Sequence, residues 1–121
     1  MSTYVSVAGL QPYQIWDGAV ARPLHGQRMT VGIIEFEPLT HVPEHRHDNE
    51  QLGLVLEGSI TMVIDGERRE LHVGDMYSIS SGIPHSGETG TDGATVVDVF
   101  SPVRSDWNDT PRLTVAEGRW P

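Results

Sequence analysis

Apolar and polar side chains alternate with hardly a break from residue 51 to residue 65. Leu52, Leu54 and Leu56 fall on one face and Gln51, Gly53 and Val55 on the other, a period of two that predicts a strand over 51–57. A turn is expected at Gly58, followed by a strand over 59–65 with Ile60, Met62 and Ile64 opposite Ser59, Thr61 and Val63. Asp65-Gly66 is a hairpin signal, because glycine accepts the positive φ such turns require, and residues 67–73 return as the partner strand, ending at Gly74-Asp75. Further strands are expected over 29–36, where Glu37-Pro38-Leu39-Thr40 breaks the pattern, and over 76–80 and 95–100. No stretch of about ten residues carries a helical apolar period. Many short antiparallel strands with regular turns predict an all-β sandwich or barrel. Residues 1–18 and 105–121 carry no readable period, although Trp107 and Trp120 are more than a solvated tail needs.

Composition narrows this. A chain of 121 residues, 37% apolar, suits one domain over 1–121 with a packed interior. Thirteen Gly and eight Pro, spread along the length, fit a chain that turns often. The net charge of −9, from 17 acidic against 8 basic residues without a basic cluster, argues against nucleic acid and anionic membranes as partners. A small anionic substrate stays compatible, because a buried cation can dominate the field inside a pocket. There is no cysteine, so disulfides, thiol catalysis and thiolate metal sites are excluded. Any metal must be held by His, carboxylate, amide or carbonyl groups. Residues 1–8 have no basic start or long apolar run, and no later segment is long enough to span a bilayer as a helix, so the expected location is cytoplasmic.

The candidate chemistry lies in the histidines. His45-Arg46-His47 puts two imidazoles two residues apart, a spacing that on a strand aims both at one face. Gln51 follows on the inward register, and His85 comes from the distant segment Gly82-Ile83-Pro84-His85. Imidazole nitrogen and amide oxygen suit Ni, Zn, Fe, Mn or Co. Taken alone, the pair His45/His47 is as compatible with surface histidines as with ligands. His25 and His72 read as surface or hydrogen-bonded residues, and His41 is near the proposed ligands but out of register with them.

The surrounding framework resembles the two motifs of the cupin superfamily, G-x5-H-x-H-x3–4-E-x6-G and G-x5-P-x-G-x2-H-x3-N. His45, His47, Gln51 and Gly58 keep the first spacing, and Gly74, Ser80, Gly82 and His85 keep the second. The resemblance covers about residues 30–105, with the hairpin over 59–73 between the motifs. It implies a single-domain cupin, a double-stranded β-helix or jelly-roll barrel, holding one divalent metal ion through His45, His47, Gln51 and His85. Leu39 stands where the first motif begins with Gly, Ser80 replaces Pro, Thr89 replaces Asn, and Gln51 replaces the usual Glu. Three neutral His and a neutral Gln leave the ion's charge uncompensated, which strengthens it as a Lewis acid and as an anchor for an anion. Gln51 cannot act as a base, so an acid/base group must come from elsewhere. A storage-type or degenerate cupin with a vestigial site is the bland alternative.

That group is expected on the strand over 95–100, where Asp98 sits among apolar residues and shares a face with Val96 and Phe100. An unpaired carboxylate there would be costly, so Asp98 needs a partner or a task, and Arg104 is a structural partner or a clamp for a substrate carboxylate. Asp98-Val-Phe100-Ser101-Pro102-Val-Arg104-Ser-Asp-Trp107 resembles the D-x-F-S-P-x-R-x-D-aromatic ending of the KdgF-type cupins of pectin and alginate breakdown. Gly66-Glu67 and Leu71-His-Val-Gly74-Asp75 resemble them too. The resemblance implies a metal-dependent lyase or isomerase that converts 4,5-unsaturated uronates to linear 5-keto-4-deoxyuronate, with Asp98, Phe100 and Arg104 as the active-site trio. Two other classes fit the same residues: a metal-dependent dioxygenase acting on a diketone or enediol, and a non-enzymatic cupin that binds a sugar or effector. The Leu52/Leu54/Leu56 face, with two late Trp residues, predicts a homodimer, unless terminal segments of the same chain cover it.

Overall fold

The structure is a computed structural model and describes residues 3–121. Eight strands run β1 (Tyr13–Trp16), β2 (Ala19–His25), β3 (Thr30–Phe36), β4 (His41–His45), β5 (Glu50–Ile64), β6 (Glu67–His72), β7 (Met76–Ile79) and β8 (His85–Ser101). Two short 3₁₀ turns, Val7–Gly9 and Ser105–Asp109, are the helical segments among the described residues. All strand pairings are antiparallel.

The two long strands build the jelly roll. The first half of β5 lies between β7 and the second half of β8, and the sheet continues through β3 and β2 to β1. The second half of β5 lies between β6 and the first half of β8, whose other edge takes β4. The core is lined by alternate residues of these strands, among them Ile34, Val55, Ile60, Ile79, Val96 and Phe100. The expected all-β barrel is what the chain forms.

Gly58, expected to turn the chain, does not. Residues 51–57 and 59–64 belong to one strand of 15 residues, which shifts register between Val55 and Glu57 and again between Gly58 and Ile60. Gly58 has φ +69, and a Cβ there would overlap the Gly93 carbonyl oxygen. Glycine lets the two long strands press together where their register shifts. Alternation looks the same in a bulged strand as in two separate ones, which is why the pattern did not separate them. The strand expected over 95–100 is likewise the end of the 17-residue β8, whose first half is rich in Gly and polar residues and lacks an apolar period. The Asp65-Gly66 hairpin forms as expected, with φ +50 and +80 and Ile64 opposite Glu67.

The ends that resisted reading are structured. The Arg112 guanidinium stacks on Tyr13 at 4.5 Å, and an isolated bridge joins the two backbones. Trp107 is buried in the core against Phe100, ring centroids 5.1 Å apart, so it adds no surface for a partner. The last residues fold over β2 and β3: Arg22 Nη2 donates to the Ala116 carbonyl, and Glu35 accepts from the Arg119 and Trp120 backbone N–H groups. This strap leaves the outer face around Leu52 open: Leu52 is 48% exposed, and its row continues through Val99 to the exposed Val31.

Candidate metal centre

Three segments bring the histidines together. His45 ends β4, opposite His85 at the start of β8. His47 lies just beyond β4, in the loop to β5 and not on a strand as the spacing suggested. The loop is held by two hydrogen bonds: the Gly82 N–H donates to the His47 carbonyl at 2.9 Å, and Asn49 Nδ2 donates to the Pro102 carbonyl at 2.5 Å. The first ties the two motif segments to each other. Upstream, Thr89 accepts from the Thr40 N–H and donates to the Glu37 carbonyl, fixing the turn that leads into β4. In that turn Leu39 takes φ +58, the left-handed conformation a glycine at the motif's first position would adopt freely.

One nitrogen from each of His45, His47 and His85 lies within 4.8 Å of the other two. The Nδ1 of each ring faces a backbone carbonyl: Pro43 at 2.8 Å, Asn49 at 3.0 Å and Ile83 at 2.8 Å. A carbonyl only accepts, so each Nδ1 carries the proton and each Nε2 lone pair is left for the site. His85 Nε2 is buried without a hydrogen-bond partner. His47 Nε2 faces Gln51 Oε1 at 3.1 Å, two acceptors that repel unless a cation or proton lies between them. This donor set fits a divalent metal ion held by three imidazoles and a carboxamide oxygen. Burial holds all three imidazoles below their ordinary value of 6.5, His85 to about 4, so they are neutral and ready to coordinate near neutral pH.

Asp98 lies in the same pocket, and it is not paired with Arg104. Its Oδ1 accepts from the Tyr77 hydroxyl and its Oδ2 from Gln51 Nε2 at 3.1 Å. Burial pushes its pKa from 3.8 up to about 7, against the opposing pull of these two donors and of the Arg104 charge. Arg104 is held by Asp106 through two hydrogen bonds, Nε to Oδ1 at 3.0 Å and Nη2 to Oδ2 at 2.9 Å. Its guanidinium lies over Phe100 at 4.6 Å and Trp107 at 4.8 Å. The structure therefore brings His45, Gln51, His85, Asp98, Phe100 and Arg104 around one cavity, with a wall of Ile34, Val42, Ile60 and Met62 behind them. His41 is exposed on β4 opposite Glu88, away from the cluster. His25 bonds to Thr30, and His72 sits 3.4 Å from Glu70 on the surface, both as expected.

Sequence reasoning missed Tyr77 and Trp16. Tyr77 alternates with Ile79 on β7, and an inward hydroxyl there demands a partner, a signal the strand pattern did contain. Trp16, whose ring centroid is 4.9 Å from that of His45, lies in the unreadable N-terminal stretch.

The family described as "Cupin domain" matches residues 32–100. The pectin degradation protein KdgF of Dickeya dadantii (strain 3937) is 38% identical over 64 residues, 52% of this chain and 58% of that protein. The HTH-type transcriptional regulator PuuR of Escherichia coli (strain K12) is 42% identical over 52 residues, 42% of this chain and 28% of that protein. The chain thus aligns with less than two thirds of either curated relative. Among solved structures, KdgF from Halomonas sp. superposes with a TM-score of 0.79 at 21% identity, covering 88% of this chain and 98% of that one, a likeness of fold. Among the described residues no helix is long and apolar enough to cross a membrane.

Proposed function

The chain belongs to the cupin family, and from that premise we propose that it is a metal-dependent enzyme converting 4,5-unsaturated uronates to linear 5-keto-4-deoxyuronate. The observation that supports this most is a cluster of three imidazole nitrogens within 4.8 Å of one another at a cavity lined by a buried carboxylate and a guanidinium. In this proposal His45, His47, Gln51 and His85 hold one divalent ion, which supplies polarisation of substrate oxygens.

The reaction is an isomerisation and needs no co-reactant. A proton leaves the O1 hydroxyl, the ring C1–O bond breaks as the aldehyde forms, and a proton arrives at C4 as the C5 enol becomes a ketone. One titrating group can serve both transfers. Asp98, raised to about 7, is balanced between its two forms near neutrality. Arg104, pinned by Asp106, fixes the substrate carboxylate, and Phe100 is the apolar wall beneath it. Arg104→Ala is expected to raise KM more than it lowers kcat. The pectin-related name of the Dickeya relative agrees with this substrate class. We also propose that the whole chain is one domain, that it works in the cytoplasm, and that the open Leu52 face pairs two copies into a homodimer.

The likeness to a transcriptional regulator favours one second reading, a cupin that binds a sugar or effector without turning it over. An absorbance assay of the metal-loaded protein with a 4,5-unsaturated uronate separates the two. Loss of the conjugated double bond's absorbance is expected. Binding without any change in absorbance would establish the second reading in its place.

A further inference from the structure

Tyr77, Gly53 and Asp98 form a row across three strands: Gly53 on β5 is paired with Tyr77 of β7 on one side and Asp98 of β8 on the other. A Cβ on Gly53 would overlap both the Tyr77 ring and the Asp98 carboxylate. The missing side chain lets the phenol reach across β5 and donate to Asp98 Oδ1. Gln51, two residues before Gly53 on the same inward face, donates its Nε2 to Oδ2. With both carboxylate oxygens accepting, the Gln51 carboxamide has one orientation: its NH₂ end meets Asp98 and its Oε1 faces His47.

We propose that Asp98 and Tyr77 are positioning residues that lock the Gln51 carbonyl oxygen onto the metal position, and that Gln51 and Asp98 form an interdependent pair. A glutamate at 51 would set one acceptor against another whenever Asp98 is ionised, and is matched by an amide at 98. The pair thus explains why this chain carries Gln where the family motif carries Glu. The inference rests on Gln51 being a ligand.

The test uses the full chain stripped of metal and titrated with Co(II), read by the cobalt absorption bands and by competition with a chelator. Gln51→Glu is expected to bind about tenfold more weakly than wild type, although a carboxylate is intrinsically the stronger ligand. Asp98→Asn is expected to bind about tenfold more weakly too, because an asparagine can offer its NH₂ to Gln51 and turn the carboxamide round. In Gln51→Glu/Asp98→Asn the Asn NH₂ donates to Glu and its oxygen accepts from Tyr77, so affinity returns to the wild-type level or above. Tyr77→Phe, which keeps the ring, should shift the cobalt bands with an unchanged circular dichroism spectrum. A purely structural role for Asp98 would lower melting temperatures and leave the cobalt bands of the folded variants alone. Additive losses in the double variant, or a single Gln51→Glu that binds more tightly than wild type, would overturn the pairing while the metal site stands. If wild type took up no Co(II), the metal site itself would fall and this inference with it. Should Gln51→Glu not fold, Asp98→Asn and Tyr77→Phe against wild type still decide the outcome.

Discussion

Among the described residues two carboxylates are buried, Glu35 and Asp98, and their surroundings could hardly differ more. Glu35 faces outward under the C-terminal strap, 2.6 Å from Arg22 Nη1, and takes two further hydrogen bonds from backbone N–H groups. Asp98 faces inward and has two neutral donors, Tyr77 and Gln51, with the nearest cation, Arg104, committed to Asp106. A cation beside the carboxylate and peptide groups around it make Glu35 a fixed joint between strap and sheet. Burial raises Asp98 to about 7 despite its neutral donors, and it lines the same cavity as His85, whose Nε2 has no hydrogen-bond partner. The contrast teaches that burial alone does not mark a functional acid. What marks it is burial without a counter-charge, beside other groups left unsatisfied.

The largest effect is expected where that contrast is broken at Asp98. Asp98→Asn keeps the volume and removes the titrating group, so at saturating metal kcat should fall by about 10²–10⁴-fold. Glu35→Gln should leave kcat of the folded protein unchanged. A wild-type rate in folded, metal-loaded Asp98→Asn would remove Asp98 from the chemistry. Glu35→Gln acts instead on stability: it leaves Arg22 buried without its counter-charge, which typically costs about 3–5 kcal/mol, to be read by chemical denaturation. A loss well under 1 kcal/mol would show that the strap does not depend on the pair.

A smaller effect sharpens the comparison from the metal side. A metal at about 100 times its dissociation constant stabilises the folded chain by about 2.7 kcal/mol. That increment should survive in Glu35→Gln and vanish in His85→Ala, as thermal melts with and without metal would show. The smallest effect is the pH dependence of the metal-free protein. His45, His47 and His85 have folded pKa values below 6.5, so their stabilisation is present above 6.5 and lost as the pH falls towards about 4. Asp98 opposes them: its folded pKa is raised from 3.8 to about 7, so its contribution is fully present below 3.8 and lost as the pH rises to 7. With three histidines set against one carboxylate, the melting temperature is expected to drop on acidification from pH 6.5 to 4. The drop should steepen in Asp98→Asn, where the opposing group is gone. A flat profile over that range would contradict the burial of the histidines.

The candidate ligands were legible along the chain. His45, His47, Gln51 and His85 are picked out by the resemblance of their spacing to the cupin motifs, and that spacing survives even though His47 lies in a loop, because hydrogen bonds from Gly82 and Asn49 hold that loop against two other segments. The inward placement of Gln51 and the shared face of Asp98 and Phe100 were legible as well, since side chains on a strand alternate whatever the strand pairs with. Gly58 was misread because alternation reports the face a residue occupies and not whether the strand bends.

The sequence by itself thus determined the all-β class, the inward faces and the candidate ligands, since these follow from local period and spacing. Only the tertiary structure decided which polar groups meet: Tyr77 with Asp98 across Gly53, Arg104 with Asp106 in place of Asp98, and Glu35 with Arg22 and the strap. Each of those meetings except Arg104 with Asp106 joins residues far apart in the chain and depends on register between strands. The Arg104–Asp106 pair is local, while Asp98 takes its donors from β5 next to it and from β7 beyond.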